Sequence, residues 1–212
     1  MSGYRVEAVL PLNKKKYKIS LEGTETVTLS LYPSELRRFG IKEGSLISEA
    51  DYDSIEEILY KRGKERALYY LKTSDKTSFQ MRRKLTEGFY PETVIDRILQ
   101  FLEKYGYIDD FRYACQFIQY NQSRKSFQQI KNDLRVKGIS REHIEEAFSD
   151  MEENCSEEEN PQADIIRKYI QKKLKTDMGP QEKNKIIMSL TRKGFKYDEI
   201  VSILREVVEK KY

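Results

Sequence analysis

The start of the chain alternates apolar and polar residues. Residues 4 to 10 and 16 to 31 follow a period of two and are rich in Val, Ile, Leu, Tyr and Thr, with turn candidates at "NKKK" and "EGTE". The next segment, "YPSELRRFGI", offers Ser34 as an N-cap and Gly40 as the end of a short helix. This pattern predicts a small N-terminal α/β module over residues 1 to 52, with a β-meander or hairpin and one short helix.

From Tyr52 onward the apolar residues recur at helical spacing, and one pattern appears three times. It reads "KLTEGFYPETV" at residues 84 to 94, "LRVKGISREHI" at 134 to 144 and "LTRKGFKYDEI" at 190 to 200. The turn in the first copy is one residue shorter than the turn in the other two. We expect the aligned glycines, Gly88, Gly138 and Gly194, to take the left-handed conformation that ends one helix before the next begins.

The helix before each glycine has a recognisable start. Thr77 to Gln80 and Ser126 to Gln129 fit the capping box, in which a hydroxyl and an amide each satisfy a free backbone N–H. Pro180 suits the first turn of the third such helix. We call these the middle helices, because a further helix is expected before each of them.

Three helices therefore form one unit. The first helices are expected at about residues 65 to 74, 110 to 122 (capped by Asp109) and 162 to 175 (begun by Pro161). The predicted boundaries are repeat 1 at residues 53 to 108, repeat 2 at 109 to 151, an acidic linker at 152 to 161 and repeat 3 at 162 to 212. The predicted fold class is mainly α, with tandem three-helix repeats that form an elongated, curved body after the small β-containing module.

Composition indicates a globular but polar chain, with 38% hydrophobic and 35% charged residues. No stretch approaches the roughly 18 apolar residues that a membrane helix needs. The first residues also lack the basic and then apolar layout of a signal peptide. We therefore expect a cytoplasmic protein with no membrane partner, and a monomer.

Few residues offer catalytic or metal-binding chemistry. Asp109 and Asp110 form a carboxylate pair, but they stand at a helix start, where acids cap the helix and favour its dipole. Cys115 lies in an apolar run, which indicates a core position rather than a nucleophile served by His143. No phosphate-binding glycine loop and no clustered Cys or His spacing occurs. We expect no enzyme activity, no cofactor and no metal site.

The balance of basic and acidic residues differs between the helices of each unit. The helices after the glycines are acidic, with 2 basic against 3 acidic residues over 91 to 104, 1 against 4 over 140 to 151, and 3 against 4 over 197 to 212. A helix-turn-helix protein would place this helix in the DNA groove, where phosphate would repel the acids. The middle helices are basic, with 4 against 1 over 76 to 87, 5 against 1 over 124 to 137, and 4 against 1 over 181 to 193.

These basic residues are the candidate binding residues. They are Arg82, Arg83, Lys84, Arg124, Lys125, Lys131, Arg135, Lys137, Lys183, Lys185, Arg192 and Lys193. If the repeats stack in register, these residues form a spaced basic stripe that suits a long polyanion or an acidic groove. The alternative is that each belongs to an ordinary solvated face of an amphipathic helix. The threefold recurrence favours the stripe.

Four segments in order carry a family resemblance. They are "RALYYL" at residues 66 to 71, "MRRKL" with "GF" at 81 to 89, "YIDDFRYA" at 107 to 114 and "IKNDLRVKGI" at 130 to 139. Each segment is weak alone, but their order and spacing together resemble the bacterial RecX family, regulators of the RecA recombinase. The resemblance runs from about residue 5 to the C-terminus. Members similarly carry a small N-terminal module and three tandem three-helix repeats.

The resemblance implies a non-enzymatic regulator of recombination, DNA repair and the SOS response. Such a protein binds RecA, typically in the groove of the RecA filament on single-stranded DNA, and limits filament growth or recombinase activity. The basic residues of the middle helices then become candidate contacts to RecA or DNA. Two alternatives stay open: a helical-repeat protein that binds single- or double-stranded DNA directly, and a helical scaffold for unrelated partners.

Overall fold

The structure is a computed structural model, and it describes residues 3–22, 27–154, 160–173 and 179–209. In chain order the elements are β1 (Gly3–Asn13), β2 (Lys16–Leu21), β3 (Val27–Leu31), α1 (Pro33–Arg38), β4 (Leu46–Ser48), α2 (Glu49–Thr73), α3 (Ser78–Thr86), α4 (Glu92–Lys104), α5 (Asp110–Asn121), α6 (Phe127–Val136), α7 (Arg141–Asn154), α8 (Pro161–Lys173), α9 (Pro180–Arg192) and α10 (Tyr197–Glu209). The predicted class is confirmed: a mainly α chain of three-helix repeats follows a small β-containing module. The chain divides into two compact units between Asp109 and Asp110.

Four antiparallel strands form the N-terminal sheet, in the order β3, β2, β1, β4. The predicted meander is confirmed as β1 to β3, in which Val6 pairs with Leu21. The sequence does not predict β4, because its three residues are too few to show an alternation. Pairing with β1, where Tyr4 lies opposite Ile47, creates this strand.

The short helix α1 begins before the position that the sequence indicates. Pro33 occupies its first turn and Tyr32 is the N-cap, so the prediction of Ser34 as the cap is wrong. Proline suits this place because its fixed φ fits the helix and its missing N–H would have no partner there. Gly40 follows the helix with a φ of 62°, in agreement with its predicted role as a helix end.

One long helix, α2, contains most of the first helix expected at about residues 65 to 74 and also the residues from Tyr52 onward that show helical spacing. Ile55, Leu59 and Ala67 recur on its buried side and extend the core of the sheet into repeat 1. The N-terminal module and repeat 1 therefore share one hydrophobic core, and α2 crosses the boundary predicted at residue 52.

The helix starts predicted from capping signals are confirmed. Gln80 N–H donates to Thr77 Oγ1 over 3.1 Å, and Thr77 N–H donates to Gln80 Oε1 over 3.2 Å. Ser126 and Gln129 make the same reciprocal pair, with 3.2 Å for each bond. Pro180 stands in the first turn of α9. Such signals act within four residues, so the sequence shows them directly.

The turn after each middle helix contains one residue in the left-handed region. Gly138 (φ 81°) and Gly194 (φ 85°) adopt this conformation as predicted. The prediction for Gly88 is wrong, because the next residue, Phe89, takes it instead with a φ of 57°. For a residue with a Cβ this conformation costs ~1 to 2 kcal/mol, so other contacts must hold it.

A buried leucine, rather than the glycine, sets the register of this turn. Tyr90 N–H donates to Leu85 O over 3.3 Å. The equivalent bonds run from Ile139 N to Leu134 O (3.1 Å) and from Phe195 N to Leu190 O (3.2 Å). Counted from these leucines, Phe89 occupies the place of the two left-handed glycines, which explains why the shorter first turn misleads an alignment on glycine.

A serine from another element holds two of these turns. Ser30 of β3 donates from its N–H to Phe89 O and from its Oγ to Gly88 O, each over 3.1 Å. In repeat 3, Ser126 Oγ donates to the main-chain oxygen of Lys193, which occupies the place of Gly88. In these two repeats the turn thus ends a helix and also accepts hydrogen bonds from a neighbouring element.

Repeats 2 and 3 each enclose a core of their own, the first within α5 to α7 and the second within α8 to α10. The helix α7 extends to Asn154, so residues 152 to 154 of the predicted linker are helical. Residues 155 to 159, including Cys155, lie outside the described residues. The helix α8 begins at Pro161 as predicted. The elongated, curved body stays a prediction.

The packing of the last turn can be tested at Gly194. A Cβ there would lie 2.6 Å from Gln128 Cβ of α6, whereas a Cβ at Gly40 meets no described atom within 4 Å. Both glycines are left-handed, so we expect Gly40→Ala to lower the free energy of unfolding by about 1 kcal/mol. Gly194→Ala adds the clash and should cost roughly 3 kcal/mol. Urea denaturation followed by circular dichroism measures both losses, and equal losses would contradict this packing.

Candidate interaction surface

Each middle helix has an apolar side and a basic side. The apolar side buries two residues per helix: Met81 and Leu85 in α3, Ile130 and Leu134 in α6, and Ile186 and Leu190 in α9. Because these positions are four apart, they leave most of the helix circumference to polar residues. All twelve candidate binding residues are half-buried or exposed, but their surroundings differ between the repeats.

The candidates in repeat 1 are paired with acids of the same repeat. Arg82 forms ion pairs with Glu92 and Asp96 of α4, and the hydrogen bond to Asp96 raises the pKa of Arg82. The side-chain nitrogens of Arg83 and Lys84 lie 3.6 and 3.1 Å from the carboxylate oxygens of the glutamate that follows α3. The acidic helix α4 and this glutamate therefore neutralise part of the predicted stripe.

Arg124 and Lys125 lie in the turn before α6. Lys125 Nζ is 2.7 Å from Asp133 Oδ2, so this cation has an internal partner. Arg124 Nη1 donates to the Tyr120 hydroxyl over 3.4 Å, and its Cζ lies 5.0 Å from the centre of the Tyr120 ring. No acid pairs with Arg124 among the described residues.

The other candidates of repeat 2 contact aromatic or amide groups. Lys131 Nζ lies 4.6 Å from the centre of the Phe148 ring, and Arg135 Nη1 donates to Asn132 Oδ1 over 2.8 Å. Lys137 is half-buried at the end of α6. Lys131 and Arg135 form no ion pair in the described part of the chain.

Repeat 3 presents the most accessible candidates. Lys185, Arg192 and Lys193 are exposed, Lys183 is half-buried, and none of the four is ion-paired within the described residues. Lys193 Nζ lies 4.4 Å from the centre of the Tyr169 ring. This repeat offers positive charge for which none of its described acids competes.

One cavity brings three of the candidates together. It has a volume of about 450 Å³ and lies between α6 of repeat 2 and helices α8 and α9 of repeat 3. Arg124 and Lys125 line it from repeat 2, Lys193 lines it from repeat 3, and Asp133 is the acid in its described lining. Lys183, Lys185 and Arg192 do not line it. We call this space the inter-repeat cavity.

Hydrogen bonds across the two repeats fix the walls of the inter-repeat cavity. Gln162 of α8 is buried, and its Oε1 accepts from Phe127 N–H over 3.0 Å. Its Nε2 donates to the main-chain oxygens of Lys125 (3.2 Å) and Gln122 (3.4 Å). The Phe127 N–H is a free donor at the start of α6, so Gln162 supplies a cap from the next repeat. The turn that carries Arg124 and Lys125 is thereby held against repeat 3.

Sequence reasoning misses a second basic cluster, in the first unit. Burial, and then the charges of Arg62 and Arg66, lower the pKa of Lys16, so the three cations lie close together. Arg62 forms a largely buried ion pair with Glu35 and donates to Ser30 O over 3.2 Å. The four-residue spacing of Arg62 and Arg66 shows that they share a face of α2. Their approach to β2 depends on tertiary structure, which no local pattern reports.

The residues with potential catalytic chemistry lie at structural positions. Asp110 starts α5, and Cys115 is half-buried against the core of repeat 2. The His143 ring lies 6.5 Å from that of Phe111. Within the described residues no group of three His, Cys, Asp or Glu side chains could hold a metal ion. The described helices also include none that is long and apolar enough to cross a membrane.

Two family models match the chain. The model described as "RecX, first three-helix domain" matches residues 64–102, and "RecX, second three-helix domain" matches residues 109–147. The first match ends within α4 and the second ends within α7. The matched segments therefore cover most of repeats 1 and 2.

Named relatives match over most of their length. "Regulatory protein RecX" of Clostridium acetobutylicum is 29% identical over 92% of this chain and 92% of that protein. The protein of the same name from Lactococcus lactis subsp. lactis is 33% identical over 92% of this chain and 74% of its own.

Solved structures agree with these matches. One, "Crystal structure of regulatory protein RecX", superimposes with a TM-score of 0.63 at 23% identity over 96% of this chain and 99% of the other, which shows the fold alone. RecX from Lactobacillus salivarius gives a TM-score of 0.60 at 26% identity over 71% of this chain and 97% of that one. From the matched three-helix domains and the full-length relatives, we conclude that the chain belongs to the RecX family of regulatory proteins.

Proposed function

We propose that this protein is a non-enzymatic regulator that binds the RecA recombinase and its filament on single-stranded DNA. In this role it inhibits RecA in recombination, DNA repair and the SOS response. It acts as a cytoplasmic monomer and requires no cofactor or metal. Its membership of the RecX family and the naming of its relatives as regulatory proteins support the proposal.

The observation that carries the proposal is the recurrence of exposed, unpaired cations on the middle helices of repeats 2 and 3. Arg135 of α6 and Lys185 and Arg192 of α9 are exposed and form no ion pair with described residues. Cations spaced along successive repeats suit an acidic groove, because many weak contacts combine once the first has formed. Charge complementarity would raise the association rate and make it sensitive to salt.

We rank the candidate contacts by their exposure and by the internal partners that they have. Arg124, Arg135, Lys185, Arg192 and Lys193 need give up no internal ion pair to meet an acid of a partner. The remaining candidates include Arg82 and Lys125, which must exchange an internal carboxylate first. We propose these five cations, which are both exposed and unpaired, as the principal contacts and the others as secondary ones.

RecA activity provides the direct test. Single-stranded DNA stimulates ATP hydrolysis by RecA, and we expect the purified protein to lower that rate in a concentration-dependent way. An unchanged rate and extent of hydrolysis, at several-fold molar excess of this protein over RecA, would contradict the proposal.

A pair of charge-reversal variants tests which surface is used. We expect Lys185→Glu with Arg192→Glu to raise the half-inhibitory concentration about tenfold, because two contacts become repulsive. Lys168→Glu with Arg205→Glu is the matched control, since both residues are exposed and lie on α8 and α10 of the same repeat. The control should inhibit like the unchanged protein. Equal losses in both variants would mean that net charge matters and the middle helix does not.

The second candidate function is direct binding of single-stranded DNA. It is favoured by the contact of Arg124 with the Tyr120 ring, which is 68% exposed. Cations beside exposed rings bind single strands through phosphate contacts and base stacking.

Anisotropy of a labelled oligothymidine, measured against salt without RecA, tests this second function. If it is correct, affinity falls steeply with salt, and Arg124→Ala with Tyr120→Ala weakens binding by about tenfold or more. Binding that appears only when RecA is present would exclude it.

A further inference from the structure

Two exposed amide side chains of the inter-repeat cavity have N–H groups that no described acceptor of the chain meets. Asn132 uses Oδ1 to accept from Arg135 (2.8 Å), and its Nδ2 has no acceptor among the described residues. Gln129 uses Oε1 to accept from the Ser126 N–H, and its Nε2 likewise meets no acceptor in the described part of the chain. Both amides line the cavity. Their free N–H groups are available to an acceptor that enters it.

The charge of this cavity is also unbalanced. Its described lining contains three cations and one acid, and that acid, Asp133, is already paired with Lys125 over 2.7 Å. Arg124 and Lys193 are left exposed without a carboxylate among the described residues. They lie on different repeats and line the same cavity, so both would attract an anion that enters it.

Part of the cavity lining is apolar. Ile165, Leu190 and Phe195 contribute to it, and the last two are buried. A peptide can cover this surface with an aliphatic side chain next to its carboxylate, whereas a nucleic acid strand would have to cover it with sugar C–H groups or a planar base. A volume of about 450 Å³ lies within the range of sites that take a small ligand or a few side chains.

We propose that the inter-repeat cavity binds an acidic peptide segment of a protein partner. A carboxylate of that segment lies between Arg124 and Lys193 and accepts from the Nδ2 of Asn132. An apolar side chain next to it packs on the surface formed by Ile165 and Phe195. The inference deepens the proposed function and rests on it only for the identity of the partner.

Occupation of this cavity would link repeat 2 to repeat 3. The occupant adds contacts between α6 and α9 to the hydrogen bonds that Gln162 already makes across the two repeats. A ligand that binds only the folded junction stabilises it in proportion to its concentration over its dissociation constant. Binding therefore has two readouts, one of affinity and one of stability.

The test uses the full chain without RecA and a short fluorescein-labelled peptide of alternating glutamate and leucine. We expect saturable binding by anisotropy, and binding about tenfold weaker or worse when glutamine replaces every glutamate. Equal binding of the two peptides would overturn the proposal. It would also be overturned if oligothymidine bound with a steep salt dependence while the acidic peptide did not bind.

Variants place the peptide in the cavity. We expect Lys193→Gln and Asn132→Ala each to weaken peptide binding by about threefold to tenfold. Lys168→Gln is the matched control, because it removes the same charge from an exposed position of α8 outside the cavity. The peptide should also raise the unfolding temperature of the unchanged protein more than that of Lys193→Gln. Unchanged peptide affinity in folded Lys193→Gln would overturn the proposal.

The outcome is separable from that of the RecA test. Peptide binding without any effect on RecA-dependent ATP hydrolysis would contradict the proposed function and support the cavity. Inhibition of RecA without peptide binding would support the proposed function and contradict the proposal for the cavity.

Discussion

The left-handed turn after each middle helix is the constraint on which the rest of the structure depends. One residue there reverses the chain so that the next residue, Tyr90, Ile139 or Phe195, is buried. The last helix of the repeat then packs against the middle one. A main-chain bond from that buried residue to the leucine five positions earlier closes the helix end. The same turn receives a serine from another element in repeats 1 and 3, so it fixes both the repeat and its neighbour.

The register of this turn also decides which charges meet. In repeat 1, Arg82 faces Glu92 and Asp96 across the turn and pairs with both. Counted from the aligned leucines, the same three places in repeat 2 hold Lys131, Arg141 and Glu145, and in repeat 3 they hold Ile187, Tyr197 and Val201. In repeat 2, Glu145 forms an ion pair with Arg141 of its own helix. In repeat 3, no charged residue occupies any of the three places. The ion pair of repeat 1 is therefore absent from the other two described repeats.

How far the sequence predicts the molecule follows from the range of each interaction. The helix starts marked by Thr77, Ser126 and Pro180 depend on residues within one turn, and their predictions are confirmed. The left-handed Phe89 could not be found in this way, because Ser30, 59 positions earlier in the chain, holds it. The strand β4 likewise exists only through its pairing with β1. For the candidate site, the sequence indicates which helices are basic, but not which cations are already neutralised.

Whether a cation is already neutralised by an acid of the same chain affects binding more than the number of cations does. An exposed ion pair is worth only ~0 to 1 kcal/mol, so a partner can take Arg82 from its acids at little cost. The exchange leaves Glu92 and Asp96 next to the incoming acid, however, and their repulsion offsets much of the new attraction. Lys185 and Arg192 have no such competitor among the described residues, so repulsion from a displaced carboxylate does not reduce their attraction to an acid of a partner. Under the proposed function, three helices of similar charge in the sequence would therefore contribute unequally to binding an acidic partner, and we expect repeat 3 to contribute most.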